Sequence, residues 1–248
     1  MAKGTTLVVP AGNHLLAALP DAERKTLEQH LRPGHLTVKT VIFDPGQPIP
    51  FLHFPIDGVI SLVTPLADGN IVEVATIGNE GIVGVPLVPG GSLAVRAISQ
   101  VGGRTLRMEA SEFIRGLERL PGFRALVQKY IQALFGQISQ AAACNRLHSN
   151  EERLSRWLLM SHDRVGTDTF PITHEFLGQM LGSRRATVTL SAGILQAAGL
   201  IRYHRGHVSI LDREGLEGVS CECYGTIKRE LDRVGTAPHN GAHYAGVS

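Results

Sequence analysis

The run Ile172-Thr173-His174-Glu175-Phe176-Leu177-Gly178-Gln179-Met180-Leu181-Gly182-Ser183-Arg184-Arg185-Ala186-Thr187-Val188 places two helical patterns on either side of a single glycine. Thr173 offers a hydroxyl to the free amides of a helix over Glu175–Leu181. Phe176, Leu177, Met180 and Leu181 recur at the spacing of one buried helix face. Gly182 supplies the left-handed backbone that ends such a helix in a sharp turn. A second helix is expected from Ser183 or Arg184 to Ala198, with Val188, Leu190, Ile194 and Leu195 as its apolar positions. Leu200–Tyr203 and His207–Ile210 then flank Arg205-Gly206 as a compact β-hairpin.

Helix, tight turn, helix and hairpin form a winged helix-turn-helix, whose second helix enters the major groove of DNA. The charge agrees by position. Over the whole chain, 24 Lys+Arg against 22 Asp+Glu leave +2, which indicates no partner. Between Phe176 and Ile210, however, stand Arg184, Arg185, Arg202 and Arg205 and no acid. Arginine near the start of the second helix can fork onto guanine O6 and N7. Thr187 and Ser191 are expected on the same side, one turn apart. Arg205 and His207 in the hairpin suit phosphate or minor-groove contacts.

Toward the N-terminus the period shortens. Leu36–Phe43, Phe51–Phe54, Val59–Val63, Ile71–Thr76, Leu93–Ser99 and Thr105–Met108 read as strands, separated by turn signals such as Asp57-Gly58 and Asp68-Gly69-Asn70. Many short strands without intervening helices predict a small barrel, roll or sandwich. From about Ala110 the pattern becomes helical. Val127, Ile131, Leu134, Ile138, Ala141 and Asn145 are spaced four-three-four-three-four within a helix over about Phe123–Leu147: either a helix packed on its own β domain or the seam of a helix pairing with its twin, which the flanking Gln132, Gln137 and Gln140 favour. Ser149-Asn150-Glu151-Glu152 starts the next helix, with Asn150 expected to accept from its first amides.

This arrangement resembles the Crp/Fnr family of bacterial transcription regulators over about residues 25 to 215. The most specific match is the quoted run with Leu195-Gln196-Ala197-Ala198-Gly199-Leu200-Ile201 after it. The resemblance implies an α+β fold: a cyclic-nucleotide-binding-like β-roll over 1–120, a dimerisation helix over 121–148, and a winged helix-turn-helix over 149–220. Residues 221–248 would form a tail, flexible at its end. It implies that Thr173, His174, Arg184 and Thr187 touch phosphate and that Arg185 reads a base, with Ser183 at the turn among the DNA contacts. Ala186 stands where the family often has a base-reading Glu, and Leu190 where it has a second Arg, so the operator does not transfer. Implied partners are palindromic double-stranded DNA, a second copy through Val127, Ile131, Leu134, Ile138 and Ala141, RNA polymerase, and a small-molecule effector.

Family members that bind cyclic AMP hold it with a Glu and an Arg-Ser pair. The matching stretch here runs from Gly84-Val85-Pro86-Leu87 to Gly91-Ser92-Leu93-Ala94-Val95-Arg96, so Gly84, Val85, Pro86, Ser92 and Leu93 are the effector-pocket candidates. Val85 replaces the Glu and Gly91 the Arg, which removes the forked donor for an anionic phosphate. Alternation along a strand sends Arg96 elsewhere. A cyclic nucleotide is disfavoured.

The three cysteines make no disulfide framework, and the first is Cys144, which excludes an N-terminal four-cysteine iron–sulfur site. His35 and His53 are read as structural or simply exposed rather than as haem ligands. Cys221-Glu222-Cys223 lacks the two-residue gap of common zinc motifs, and His239 and His243 fall in the expected tail. No metal and no cofactor are assigned. A metal- or thiol-dependent redox sensor using Cys221 and Cys223 is the alternative reading. Enzymes are disfavoured: His53-Phe54-Pro55 breaks the cupin His-x-His pattern, and there is no Gly-x-Ser-x-Gly or phosphate-cradling glycine loop. With 43% hydrophobic residues the chain can bury a core. Met1–Pro10 is too short-run for a signal segment and no window is apolar enough to span a membrane, so a cytoplasmic protein without a membrane partner is expected.

Overall fold

The computed structural model describes residues 12–85 and 91–235. Two short helices, α1 (His14–Ala17) and α2 (Asp21–Glu28), precede strands β1 (Arg32–Leu36), β2 (Val41–Phe43), β3 (Phe51–Pro55), β4 (Val59–Pro65), β5 (Ile71–Ile77), β6 (Arg96–Val101) and β7 (Gly103–Glu109). They pair antiparallel in two sheets, ordered β1-β7-β3 and β2-β6-β4-β5, which make the expected roll. Helices α3 (Ala110–Arg119), α4 (Pro121–Leu147) and α5 (Asn150–Val165) follow. Then come β8 (Thr169–Pro171), α6 (His174–Leu181), α7 (Arg185–Ala197), β9 (Ile201–His204), β10 (His207–Ile210), α8 (Arg213–Val219) and α9 (Cys223–Asp232). The α+β class read from the sequence is the observed one.

Several expected boundaries move, each for a tertiary reason. The expected strand Leu36–Phe43 is two strands in different sheets, because the chain turns at 37–40 with Lys39 at φ 66°. An apolar, β-branched run signals extended backbone but not which sheet receives it. The Gly102-Gly103 pair, uninformative as a motif, sits where the chain crosses from one sheet to the other. A Cβ on Gly103 would lie 2.5 Å from the Gly58 amide nitrogen, so two backbones meet there with no room for a side chain.

Helix α4 begins two residues earlier than expected, with Pro121 at its first position, where a missing N–H costs nothing. Its first turns bury Phe123, Leu126, Val127 and Tyr130 against the roll and α1–α3. Tyr130 Oη donates to Ile82 O at 2.9 Å. The cap of α5 is Ser149, not Asn150. Ser149 Oγ accepts from the Glu152 amide, and the Glu152 carboxylate accepts from the Ser149 amide at 2.7 Å, a reciprocal capping box. The segment expected as tail folds as α9 up to Asp232 and packs along α4. Residues 236–248, with His239 and His243, lie outside the described residues.

The outer face of the four-stranded sheet is covered by α5. Val63 and Ile98 of the sheet join the core of the C-terminal half, which is built round Trp157, Leu159, Phe170 and Leu195. Polar groups cross the same boundary. Gln100 Nε2 donates to Ser161 Oγ at 3.1 Å, and Arg164, almost fully buried, pairs with Glu80 at 2.7 Å.

His53 lies on β3, and its Nδ1 is buried with no hydrogen-bond partner among the described residues. Burial, and then the Arg107 charge, lower its pKa from 6.5 to about 4. The unfolded chain binds this proton near pH 6.5 and the folded chain only near 4, so protonation favours unfolding. Stability is therefore retained above about pH 6.5 and lost as the pH falls toward 4, by on the order of 2–3 kcal/mol from this group. Urea unfolding of wild type and His53→Gln at pH 7.5 and pH 4.5 should show a smaller acid loss in the variant.

Candidate nucleic-acid interface

The reading unit is assembled from local signals. Thr173 caps α6, its hydroxyl accepting from the Phe176 amide at 3.2 Å. Gly182 ends α6 at φ 58° and ψ 36°, and the Ser183 amide closes back on Gly178 O at 2.8 Å. That turn aims α7 outward. Val188, Ala192 and Leu195 are buried beneath it. Arg184, Arg185, Ala186, Thr189, Leu190 and Ile194 are exposed, with Thr187 at the margin. Leu190 is 70% and Ile194 56% exposed, so two of the four apolar positions of α7 lie on its outer face. The helical period identified a stripe of apolar residues, but α7 has one apolar stripe inward and a second outward.

Strands β8, β10 and β9 form the small sheet of the wing, in that order. Arg205 and Gly206 turn β9 into β10 at φ 47° and 78°, and Arg205 and His207 are exposed beside α7. Thr173, Arg184, Arg185, Thr187, Arg205 and His207 therefore leave a side chain wholly or partly open on this side of the molecule.

Three other candidates have side chains engaged within the fold. Ser191 is buried and donates to Glu151 Oε1 at 2.7 Å, joining α7 to α5. Ser183 donates to Asn150 Oδ1 at 2.6 Å, which spends its hydroxyl within the fold. His174 stacks on Tyr203, ring centroids 4.0 Å apart, with Nδ1 at 3.0 Å from Thr189 Oγ1 and Nε2 buried. Burial, and then the Arg185 charge, hold its pKa below the ordinary value. The stack on Tyr203 and the contact with Thr189 tie β9 to α7 through His174. Spacing places these residues beside the reading face but cannot say which neighbour each side chain meets.

The family model of the Crp-like helix-turn-helix domain matches residues 152–219, the segment just described. This segment is a Crp-like helix-turn-helix domain. Solved structures extend the likeness over most of the chain. FixK2 from Bradyrhizobium japonicum is 13% identical at a TM-score of 0.67, covering 77% of this chain and 98% of its own. CLP from Xanthomonas campestris, described as a c-di-GMP responsive global regulator, is 15% identical at 0.61, covering 77% and 99%. A Crp-family regulator from Thermus thermophilus is 18% identical at 0.61, covering 75% and 96%. At these identities the likeness gives the fold, and that fold is the one Crp/Fnr regulators have. No curated protein matches the chain. Among the described residues no helix is long and apolar enough to cross a membrane.

The Crp-like domain is preceded by a cavity of about 200 Å³ between the four-stranded sheet and α4. Gly84, Val85 and Leu93, three of the effector-pocket candidates, line it together with Leu62, Val74 and Ile77 of the sheet. Ser92 is exposed and does not line it, and Pro86 lies outside the described residues. Sequence reasoning missed the far wall, formed by Ile131, Leu134, Phe135 and Ile138 of α4. No charged side chain lines the cavity among the described residues. Arg96 is held by Asp44 Oδ1 at 2.5 Å and does not reach it.

The expected seam of α4 is partly spent inside the chain. Val127 and Ala141 are buried against its own residues, and Ile131, Leu134 and Ile138 are only partly open. Phe135, absent from the expected seam, is 70% exposed.

Ser191→Ala separates the structural role from a reading role. It removes the donor to Glu151 and should lower stability by about 1 kcal/mol in denaturant titration. Operator affinity of the folded protein should stay unchanged in mobility-shift assays.

Proposed function

We propose that the chain is a sequence-specific, DNA-binding transcription regulator that acts as a homodimer and is not an enzyme. The observation that carries this reading is the outer face of α7, where Arg184 and Arg185 stand exposed on an acid-free helix beside a basic wing. Arg185 near the first turn of α7 suits the O6 and N7 acceptors of guanine, while Thr173, Arg184, Thr187, Arg205 and His207 suit phosphates. Leu190 and Ile194 give the same face an apolar patch of the kind that meets thymine methyl groups. This pairing replaces the second arginine that the family carries at the Leu190 position.

Two copies meet, in this reading, along α4 where Ile131, Phe135, Ile138 and Ala142 follow a four-three-four spacing on the open side of the helix. The seam is shifted round the helix from the one the sequence suggested. A two-fold axis there presents the two α7 helices to half-sites about one turn of DNA apart. The signal enters at the apolar cavity, whose wall is α4 itself, so an occupant there would bear directly on the pairing helix. An uncharged, apolar small molecule fits this lining; a cyclic nucleotide would find no cation for its phosphate.

Selection of bound DNA from a random pool should return a palindrome. Arg184→Ala with Arg185→Ala should weaken binding to it at least about tenfold in mobility shifts and flatten the salt dependence. Unchanged specific affinity would remove α7 as the reading helix. Phe135→Asp should yield monomers in analytical ultracentrifugation; a persistent dimer would place the interface elsewhere.

A further inference from the structure

The fold gathers four metal-ligating side chains that the reading of DNA does not use. Cys144 and His148 lie one helical turn apart, Cys144 near the end of α4 and His148 capping it. Cys221 and Cys223 flank Glu222 at the junction of α8 and α9. The three sulfurs and the imidazole nitrogen all lie within 4.8 Å of one another. Cys144 Sγ is 3.6 Å from Cys221 Sγ, and Cys223 Sγ is 3.5 Å from His148 Nδ1. Around one tetrahedral zinc ion, with Zn–S about 2.3 Å and Zn–N about 2.0–2.1 Å, two sulfurs stand about 3.8 Å apart and a sulfur and nitrogen about 3.6 Å. The spacings agree with a single shared ion. They are too close for an iron–sulfur cluster, which distributes its thiolates over separate irons.

The surroundings are those of a ligand shell. The three cysteines are buried and form a cluster of their own, with free thiols. His148 Nε2 faces Glu222 Oε2 at 3.2 Å, which turns Nδ1 toward the sulfurs, as a carboxylate does behind many metal-bound histidines. Gln140 Nε2 donates to Cys223 Sγ at 3.0 Å. The guanidiniums of Arg153 and Arg156 lie close enough to Cys144 for their charges to interact with it, and would balance the net negative charge of three thiolates around a divalent ion.

We propose that Cys144, His148, Cys221 and Cys223 bind one Zn2+ in a closed tetrahedral site that fastens the end of α4 to the α8–α9 junction. Three thiolates and one imidazole leave no open position, so the site is structural rather than catalytic. Binding releases the three thiol protons to solvent and oxidises nothing. Its consequence is mechanical. The helix that lines the sensor cavity and the helices that follow the wing are clamped to each other at one point, 77 residues apart in sequence.

The test uses the full-length, tag-free chain purified under reducing conditions without chelator. Elemental analysis should find about one zinc per chain. Replacement by Co2+ should give the intense visible bands of a tetrahedral site and a thiolate-to-cobalt charge-transfer band. Glu222→Gln, at an exposed carboxylate, should weaken zinc binding about tenfold while leaving the ligands in place. Cys144→Ser should shift the charge-transfer band or abolish it. A folded, DNA-competent chain that holds no zinc and gives no cobalt bands on titration would overturn the proposal. So would a metal-free chain in which mass spectrometry finds Cys144 and Cys221 joined as a disulfide.

Discussion

The molecule depends on a buried polar seam where α5 lies across the four-stranded sheet. Gln100 on β6 reaches Ser161, and Arg164 joins Glu80 and the Thr76 carbonyl. Behind them Ser61 Oγ lies 2.5 Å from Glu73 Oε2 and 2.7 Å from Gln100 Oε1. Gln100 carries the contact on to Ser161, so the chain of polar groups runs from β5 to α5, and burial raises the Glu73 pKa. Polar groups taken from water in this way are favourable only when every partner is present. The seam thus fixes one relative placement of the two halves where apolar packing alone would tolerate several.

From that placement the roles of α4 and α5 follow. Helix α5 is buried on nearly every side, including Arg153, Arg156 and Arg164, because it is covered by the sheet, α7, α8 and α9. Its capping box orients the start of the Crp-like domain, and Ser191 and Ser183 are drawn onto its first turn. Helix α4 serves three surfaces at once. Its first turns sit in the core of the roll, its middle closes the apolar cavity, and its last turn carries Cys144 toward Cys221. Any change in the cavity therefore acts on a helix anchored at both ends.

Much of this was legible in the chain, and the limit has a common cause. Thr173, Gly182 and the Arg205-Gly206 turn act on backbone within a few residues, so their signatures are local and read correctly. The exposure of Leu190 and Ile194, the burial of Ser191 and the stacking of His174 on Tyr203 were not legible in the same way. A helix period groups residues by face but does not say which neighbour covers that face. Phe135 lay outside the expected stripe for the same reason, and only the packed structure shows that it is exposed.

The sequence by itself determined the α+β class, the helix–turn–helix–hairpin and the acid-free basic face, because periodicity, caps and turn residues are short-range physics. Set beside the family it resembles, it also disfavoured a cyclic-phosphate cradle, since Val85 and Gly91 stand where the Glu and Arg would be. Only the tertiary structure decided which sheet each strand joined, where α4 is open, and what covers the outer face of the sheet. It alone brought Cys144 and His148 to Cys221 and Cys223. The reason is separation along the chain: a site assembled across 77 residues is set by how α9 packs along α4, and no local pattern encodes that packing.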